Sequence, residues 1–332
     1  MVVLLLLGAV TPIRHLQASD HLPPQTLNII ILESLTLDDL QTRTFSFKRH
    51  LRQFGLYKEH NIDIRVFNAE ADRDRARELL TEAIAEQRPD LVVTIATLAS
   101  QVGRDILKDS NIPQLFLFVS SPVQAGLITH IEKPSGSNIT GITHSIDIDR
   151  TTNFVKHVVA NLPFKNPLRI GVLHSDYPAS VGGFRKLKEL EAERNDVRFL
   201  PLPIVFRDIQ SSIDPMVKDA LEIIEKNRDE IDIIWLSEGP LPRKEEYVRP
   251  LIEKSVVPIV FTASPKGSEW GVWCSIESGA DQEGHQAALM ANAILHGSSA
   301  GSIPVMRGME RSYKVNSKAA SRWGYEIPPM GY

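Results

Sequence analysis

Cysteine is almost absent from this chain of 332 residues, and Cys274 stands alone. A single thiol excludes an internal disulfide, a cysteine-based zinc site and a lipid-modified cysteine behind a leader. At this length two hydrophobic cores supply stability without covalent help. Blocks of like charge are missing too, and the net charge is only −4, which speaks against nucleic acid and acidic polymers as partners. Catalytic signatures are equally scarce. The sequence holds no Gly-x-Ser-x-Gly, no His-Glu-x-x-His and no Gly-x-x-x-x-Gly-Lys, and neither Gly182-Gly183 nor the region around Gly126 completes a dinucleotide fingerprint. His174-Ser175-Asp176 holds the residue types of a triad, but chain neighbours cannot converge as the triad roles require. That trio reads as a strand-end binding loop. No catalytic residue, cofactor or metal site is expected.

Long apolar runs are also lacking, apart from Met1 to Val10, which has signal-peptide length and is too short to span a bilayer. It lacks a basic start, and Leu16 fits poorly ahead of cleavage after Ala18. The polar segment from Thr11 to Thr26 separates it from the next apolar run, so it reads as an export signal rather than a first strand. Residues 1–26 are therefore expected to be signal peptide and linker, and the mature chain a freely diffusing, monomeric periplasmic protein without a lipid anchor.

What is present is a repeated alternation of strand and helix patterns. Leu27 to Leu32, Asn61 to Phe67, Asp90 to Ile95 and Gln114 to Val119 read as strands. Between them, Phe45, Phe47, Leu51 and Phe54 mark one helical face that ends at Gly55, and Ala76, Leu79, Leu80, Ala83 and Ile84 mark another. The alternation then restarts. Leu168 to Leu173, Val197 to Leu202, Ile231 to Leu236 and Pro258 to Phe261 read as strands, and Ile213 to Ile224 as a helix. Two successive βαβ runs imply an α/β protein of two doubly wound lobes.

Ser121-Pro-Val-Gln-Ala-Gly-Leu-Ile128, followed by Lys133-Pro-Ser-Gly-Ser-Asn-Ile-Thr-Gly-Ile142, resembles a family of substrate-binding proteins of ABC transporters that includes tryptophan- and phenylalanine-type receptors. Gly284 to Gly297, Ile303-Pro-Val305, Val315 to Ala320 and Trp323 to Pro328 match the closing pattern of that family. Ser120-Ser121 replaces the family's Thr-Asp, and Ser135 and Ser137 loosen its glycine turn. The resemblance implies the type I periplasmic binding-protein fold: Rossmann-like lobes joined by a multi-crossing hinge. Lobe one would hold residues 27–142 and 264–300, and lobe two residues 143–263 and 301–332. The first crossing is expected at Gly141 to Thr143, a return near Ser264 and a last crossing near Gly301. The implied function is capture of a small organic solute for delivery to an ABC permease, with no catalysis. A sensory receptor that hands its closed state to a signalling partner is the alternative.

In parallel α/β sheets ligands bind at the carboxyl ends of strands. The candidate ligand-binding residues are therefore the polar strand-end positions: Ser34, Thr36, Ala96, Thr97, Ser120 and Ser121 in lobe one, and Ser175, Asp176, Ser237, Glu238, Thr262 and Ser264 in lobe two. Thr97 can present a helix N-terminus to a carboxylate or act as a plain cap, and the two are compatible. Thr97, Ser120 and Ser121 would hold a carboxylate or carbonyl, and either Glu238 or Asp176 an ammonium. The missing Asp at Ser121 argues against assuming an aromatic amino acid. Trp235 reads as core, and Trp270 as a candidate hinge or cleft contact.

Overall fold

The computed structural model describes residues 26–56, 62–164, 166–209, 212–276, 279–308 and 312–329. The expected signal segment lies outside them. The first half of the chain forms β1 (Leu27–Glu33), α1 (Asp38–Gln53), β2 (Ile62–Asn68), α2 (Arg73–Glu86), β3 (Leu91–Ile95), α3 (Thr97–Leu107), β4 (Gln114–Val119) and β5 (Ile139–Thr143). The alternation resumes with α4 (Ile148–Val158), β6 (Leu168–Ser175), α5 (Pro178–Ala192), β7 (Val197–Ile204), α6 (Asp214–Lys226), β8 (Ile233–Leu236), α7 (Glu245–Lys254) and β9 (Ile259–Thr262). It closes with α8 (Gly267–Trp270), β10 (Cys274–Ile276), α9 (Ala280–Leu295), β11 (Met306–Arg307), β12 (Tyr313–Val315) and α10 (Ser317–Ser321).

Local chemistry sets many of these ends. The Asp72 carboxylate accepts from Asp74 and Arg75 N–H at the start of α2, and Asp147 accepts from Arg150 N–H at the start of α4. Pro178 opens α5, where a missing N–H costs nothing. Gly55, at φ +76°, ends the first helix by donating to Arg52 O.

The strands pair into two sheets, in the orders β11-β5-β4-β3-β1-β2 and β12-β10-β9-β8-β6-β7. Every pair is parallel except β10 with β12. Helices cover both sheets, so the strands are near-continuous apolar runs, buried throughout in β1, β3 and β8 apart from Asn28. Trp235 is core, as its place inside a strand suggests. No helix among the described residues is long and apolar enough to cross a membrane.

The crossings fall elsewhere than the sequence suggested. Gly141 to Thr143 belong to β5, and the chain leaves the first sheet only after His144, whose N–H still bonds Val119 O. Residues 264–276 do not return to lobe one. Cys274 and Ser275 pair with Phe261 and Thr262, adding a fifth parallel strand to the second sheet, and the chain goes back after Ile276. There α9 lies along α1, tied by Arg43 Nε to Glu283 Oε2 at 2.6 Å and Ser46 Oγ to Asp281 Oδ1 at 2.8 Å. Gly301 is not a crossing either. It packs so tightly on Ser137 that a Cβ would lie 1.8 Å from the Ser137 carbonyl oxygen, while Met306 and Arg307 still pair with β5. The last change of sheet falls between Arg307, paired with Thr143 in the first, and Tyr313, paired with Ile276 in the second. A very short strand carries too little periodicity to reveal which sheet it joins.

Candidate functional site

Both sheets share one strand order: second, first, third, fourth, fifth. In this order the connections leave β1 and β3, or β6 and β8, in opposite directions, opening a crevice at their carboxyl ends. The two crevices face each other. Between them lies a narrow cavity of about 30 Å3, lined on one side by Leu35, Leu37, Leu40, Ala96, Thr97, Phe118, Ser120 and His144. The opposite side is Tyr177, Ala179, Glu238, Gly239, Pro240 and Arg243. An apolar cluster is continuous across the gap, from Leu35, Leu37 and Leu40 to Tyr177 and Leu241.

Of the sequence candidates, Ala96, Thr97, Ser120 and Glu238 line this cavity. Ala96 adopts φ +69°, a left-handed turn that swings the chain from β3 into α3. Ser34 is fully buried and serves α3 instead: its Oγ donates to Ile95 O at 2.8 Å and accepts from Ala99 N–H at 2.9 Å. Ser175 Oγ accepts from Tyr177 N–H, Ser237 Oγ donates to Ser180 O, and Thr262 Oγ1 accepts from Ser264 N–H. These hydroxyls shape the strand-end turns. Ser264 and Trp270 line a second hollow at the cleft mouth, beside Asp39 and Lys266.

Two candidates turn away. Thr36 is exposed and accepts from Asn68 Nδ2 at 2.9 Å. Asp176 is exposed as well, and its carboxylate accepts from Phe206 N–H at 2.7 Å, so it does not face the cavity as an ammonium acceptor. Strand alternation reverses direction within one residue, so a strand-end acid needs only a single-residue offset to face solvent.

Glu238 is the acid that points inward. It is 8% exposed, and its Oε2 lies 3.5 Å from Ser121 Oγ on the opposite lobe. Where the resembling family has Asp at the Ser121 position, a carboxylate therefore reaches in from the other side. Gly182 and Gly183 make room for it. A Cβ on Gly182 would lie 3.1 Å from Ser121 Cβ, and one on Gly183 would lie 3.2 Å from Glu238 Oε2.

A buried ion network stands behind the cavity. Arg43 on α1 bonds Glu283 and Asp39, and Arg243 reaches over from the second lobe to the same Asp39. His144 Nδ1 lies 3.1 Å from Glu283 Oε1, and its Nε2 lies 3.4 Å from Arg243 Nη2. The Arg43 and Arg243 guanidiniums lie 4.1 and 4.6 Å from the centroid of the Phe118 ring. Phe118 itself has φ +59°, at a register shift between β4 and β5 that turns its side chain into the cleft. Burial works to raise the Asp39 pKa, but Arg243, Arg43 and His144 outweigh it and hold the carboxyl at about 2. Burial also opposes charge on Arg43, yet Glu283 and Asp39 keep its pKa above the ordinary guanidinium value.

Sequence reasoning missed Phe118, His144, Tyr177 and Arg243. Tyr177 adjoins the strand-end trio and Arg243 follows the proline-rich turn after Glu238, so both were within reach of the strand-end rule. The bulge that turns Phe118 inward leaves no signal in the sequence. Among the described residues no group of His, Cys, Asp and Glu is placed to hold a metal ion.

Comparison with known proteins gives a consistent result. Residues 28–329 match the family model described as ABC transporter substrate binding protein. The chain is 25% identical over 294 residues to a tyrosine-binding protein of Clostridioides difficile (strain R20291), covering 87% of this chain and 78% of that one. Among solved structures, it resembles a Streptococcus pneumoniae ABC domain in complex with L-Trp, at TM-score 0.74 and 20% identity, covering 92% of this chain and 96% of that one. A conserved domain protein from Vibrio cholerae superposes at TM-score 0.74 and 21% identity, with the same coverage. The fold is thus that of the type I periplasmic binding proteins. With two lobes facing one cleft and a family match that runs nearly from end to end, this chain belongs to the ABC transporter substrate-binding protein family, the solute-binding receptors of ABC transporters.

Proposed function

We propose that this protein captures an amino acid with an apolar or aromatic side chain in its inter-lobe cleft, in the periplasm, and delivers it to an ABC permease. One observation carries the reading. The buried Glu238 carboxylate accepts one long hydrogen bond, from Ser121 Oγ at 3.5 Å, and feels the charges of Lys186 and Arg243 without a direct ion pair to either among the described residues. A buried carboxylate without a direct ion pair keeps part of its desolvation cost, and a ligand ammonium in contact with it relieves that cost. Leu35, Leu37, Leu40 and Phe118 offer an apolar side chain its surroundings, while Thr97 and Ser120 with the first turn of α3 suit a carboxylate. The tyrosine-binding relative and the L-Trp complex support an aromatic ligand.

The cavity has room for about one water, so a solute enters when the lobes swing apart and is enclosed when they return. Closure around the solute gives the permease a shape that differs from the empty receptor. The test is a thermal-shift screen of the purified protein against the standard amino acids, aromatic acids, purines and pyrimidines. A ligand at a hundred times its dissociation constant adds about 2.7 kcal/mol of stability. L-tyrosine, L-tryptophan or L-phenylalanine is expected to raise the melting temperature, and silence from every amino acid would overturn the assignment.

A further inference from the structure

Tyr177 begins α5 on the second lobe and lines the cavity. It is 4% exposed, and its hydroxyl oxygen is buried without a hydrogen-bond partner. Ser34 approaches it across the cleft closely enough to draw its pKa down, yet not at hydrogen-bond geometry, and Ser34 Oγ is engaged with Ile95 O and Ala99 N–H. Burial pushes the phenol pKa up, more than Ser34 and Arg73 pull it down, so the group enters the cleft as a neutral donor. Phe206 packs on the Tyr177 ring at 4.8 Å between centroids, and Asp176 fixes Phe206 through its N–H. The ring is therefore held in place while its polar end is left without a partner.

The surroundings of that hydroxyl identify what it can meet. Ala96 and Thr97 bring the first turn of α3 to the cavity, and Tyr177 and Ala179 bring the first turn of α5. Neither helix has a side-chain cap at its first turn from its own N-cap residue. Two helix N-termini, one from each lobe, thus converge where the phenol lies, and both favour negative charge.

We propose that Tyr177 is a solute-binding residue whose hydroxyl donates to a carboxylate of the bound solute and so makes closure of the cleft depend on that carboxylate. The proposal rests on the reading of the cleft as the solute site. In the open receptor the phenol is hydrated. Closing over an empty cleft strips that water and returns no bond, a loss worth about tenfold or more in the closing equilibrium. A carboxylate restores the bond in charge-assisted form.

Two measurements on Tyr177→Phe test it. Titration with L-tryptophan is expected to show about tenfold weaker binding than wild type, while tryptamine, which lacks the carboxylate, is expected to bind the Phe variant more tightly than wild type, because closing over it no longer strips an unpaired hydroxyl. The second measurement needs no ligand. Spin labels at Lys108→Cys and Lys226→Cys, on exposed positions of opposite lobes with Cys274 buried, report the inter-lobe distance. The empty Phe variant is expected to populate the short, closed distance more than the empty wild type. Identical distance distributions in the two empty proteins would overturn the proposal, and so would an equal loss of tryptophan and tryptamine binding. If no amino acid binds wild type, the amino-acid reading fails, and the distance measurement still decides the role of Tyr177.

Discussion

Arg243 and Asp39 form an ion pair across the cleft, with the arginine on the turn after β8 and the aspartate in the first turn of α1. Both are largely buried, at 8% and 19% side-chain exposure. Each lobe has its own sheet, so the pair is made when the lobes meet and broken when they part. Its energy therefore acts on closing more than on unfolding. Removing one member of a buried pair leaves the other uncompensated, at a cost of about 3 kcal/mol. Asp39→Asn is expected to weaken L-tryptophan binding about a hundredfold, with a smaller effect on the urea midpoint. Adding Arg243→Met should recover part of the affinity, and calorimetric titration of the three variants checks both outcomes.

The same carboxyl gives a pH dependence. Its pKa is about 2 in the folded protein, against an ordinary value of 3.8. A depressed folded value means the contribution is complete above the ordinary pKa and is lost as pH falls through about 2. The difference corresponds to roughly 2 kcal/mol. The closed state is expected to persist at pH 4 and to fail progressively below it. Inter-lobe distances of wild type and Asp39→Asn, followed from pH 5 to pH 2, should converge at the acid end, and parallel curves would contradict the assignment.

Glu238 is expected to govern recognition rather than folding. Its one side-chain hydrogen bond is long and it makes no direct ion pair among the described residues, so Glu238→Gln should leave the melting temperature of the empty protein nearly unchanged. Binding of L-tryptophan should fall at least about tenfold, the value of a charged hydrogen bond. Indole-3-propionate, which has no ammonium, should lose far less. A titration in which both compounds lose affinity equally would remove Glu238 as the ammonium site.

How much of this was legible follows from the range of the interactions involved. Parallel strands buried on both faces announce themselves as runs such as Leu27 to Leu32, and Gly55 marks a helix end through its own backbone freedom. Strand-end positions such as Thr97, Ser120 and Glu238 follow from topology once the alternation is recognised. Hidden from the sequence was whatever depends on the lobes meeting. Arg243 finds Asp39 about two hundred residues away, and Glu238 lies opposite Ser121 only because α5 comes close. Asp176 was misplaced for the opposite reason: the chain reverses its facing at every residue, and one step turned that carboxylate to Phe206 and solvent.

Gly182 explains why a glycine pair sits in a helix, where it costs about 1 kcal/mol relative to alanine. A Cβ there would stand 3.1 Å from Ser121 Cβ on the other lobe, closer than side chains ordinarily approach. The glycine is needed when the lobes meet, and within its own lobe it is only a weak helix former. Gly182→Leu should therefore stabilise α5 slightly while holding the lobes apart. The expected result is a melting temperature equal to or above that of wild type, an open inter-lobe distance with or without L-tryptophan, and at least a tenfold loss of binding, by the same closing arithmetic. Unchanged affinity in this variant would mean that α5 and Ser121 need not come together for the solute to bind.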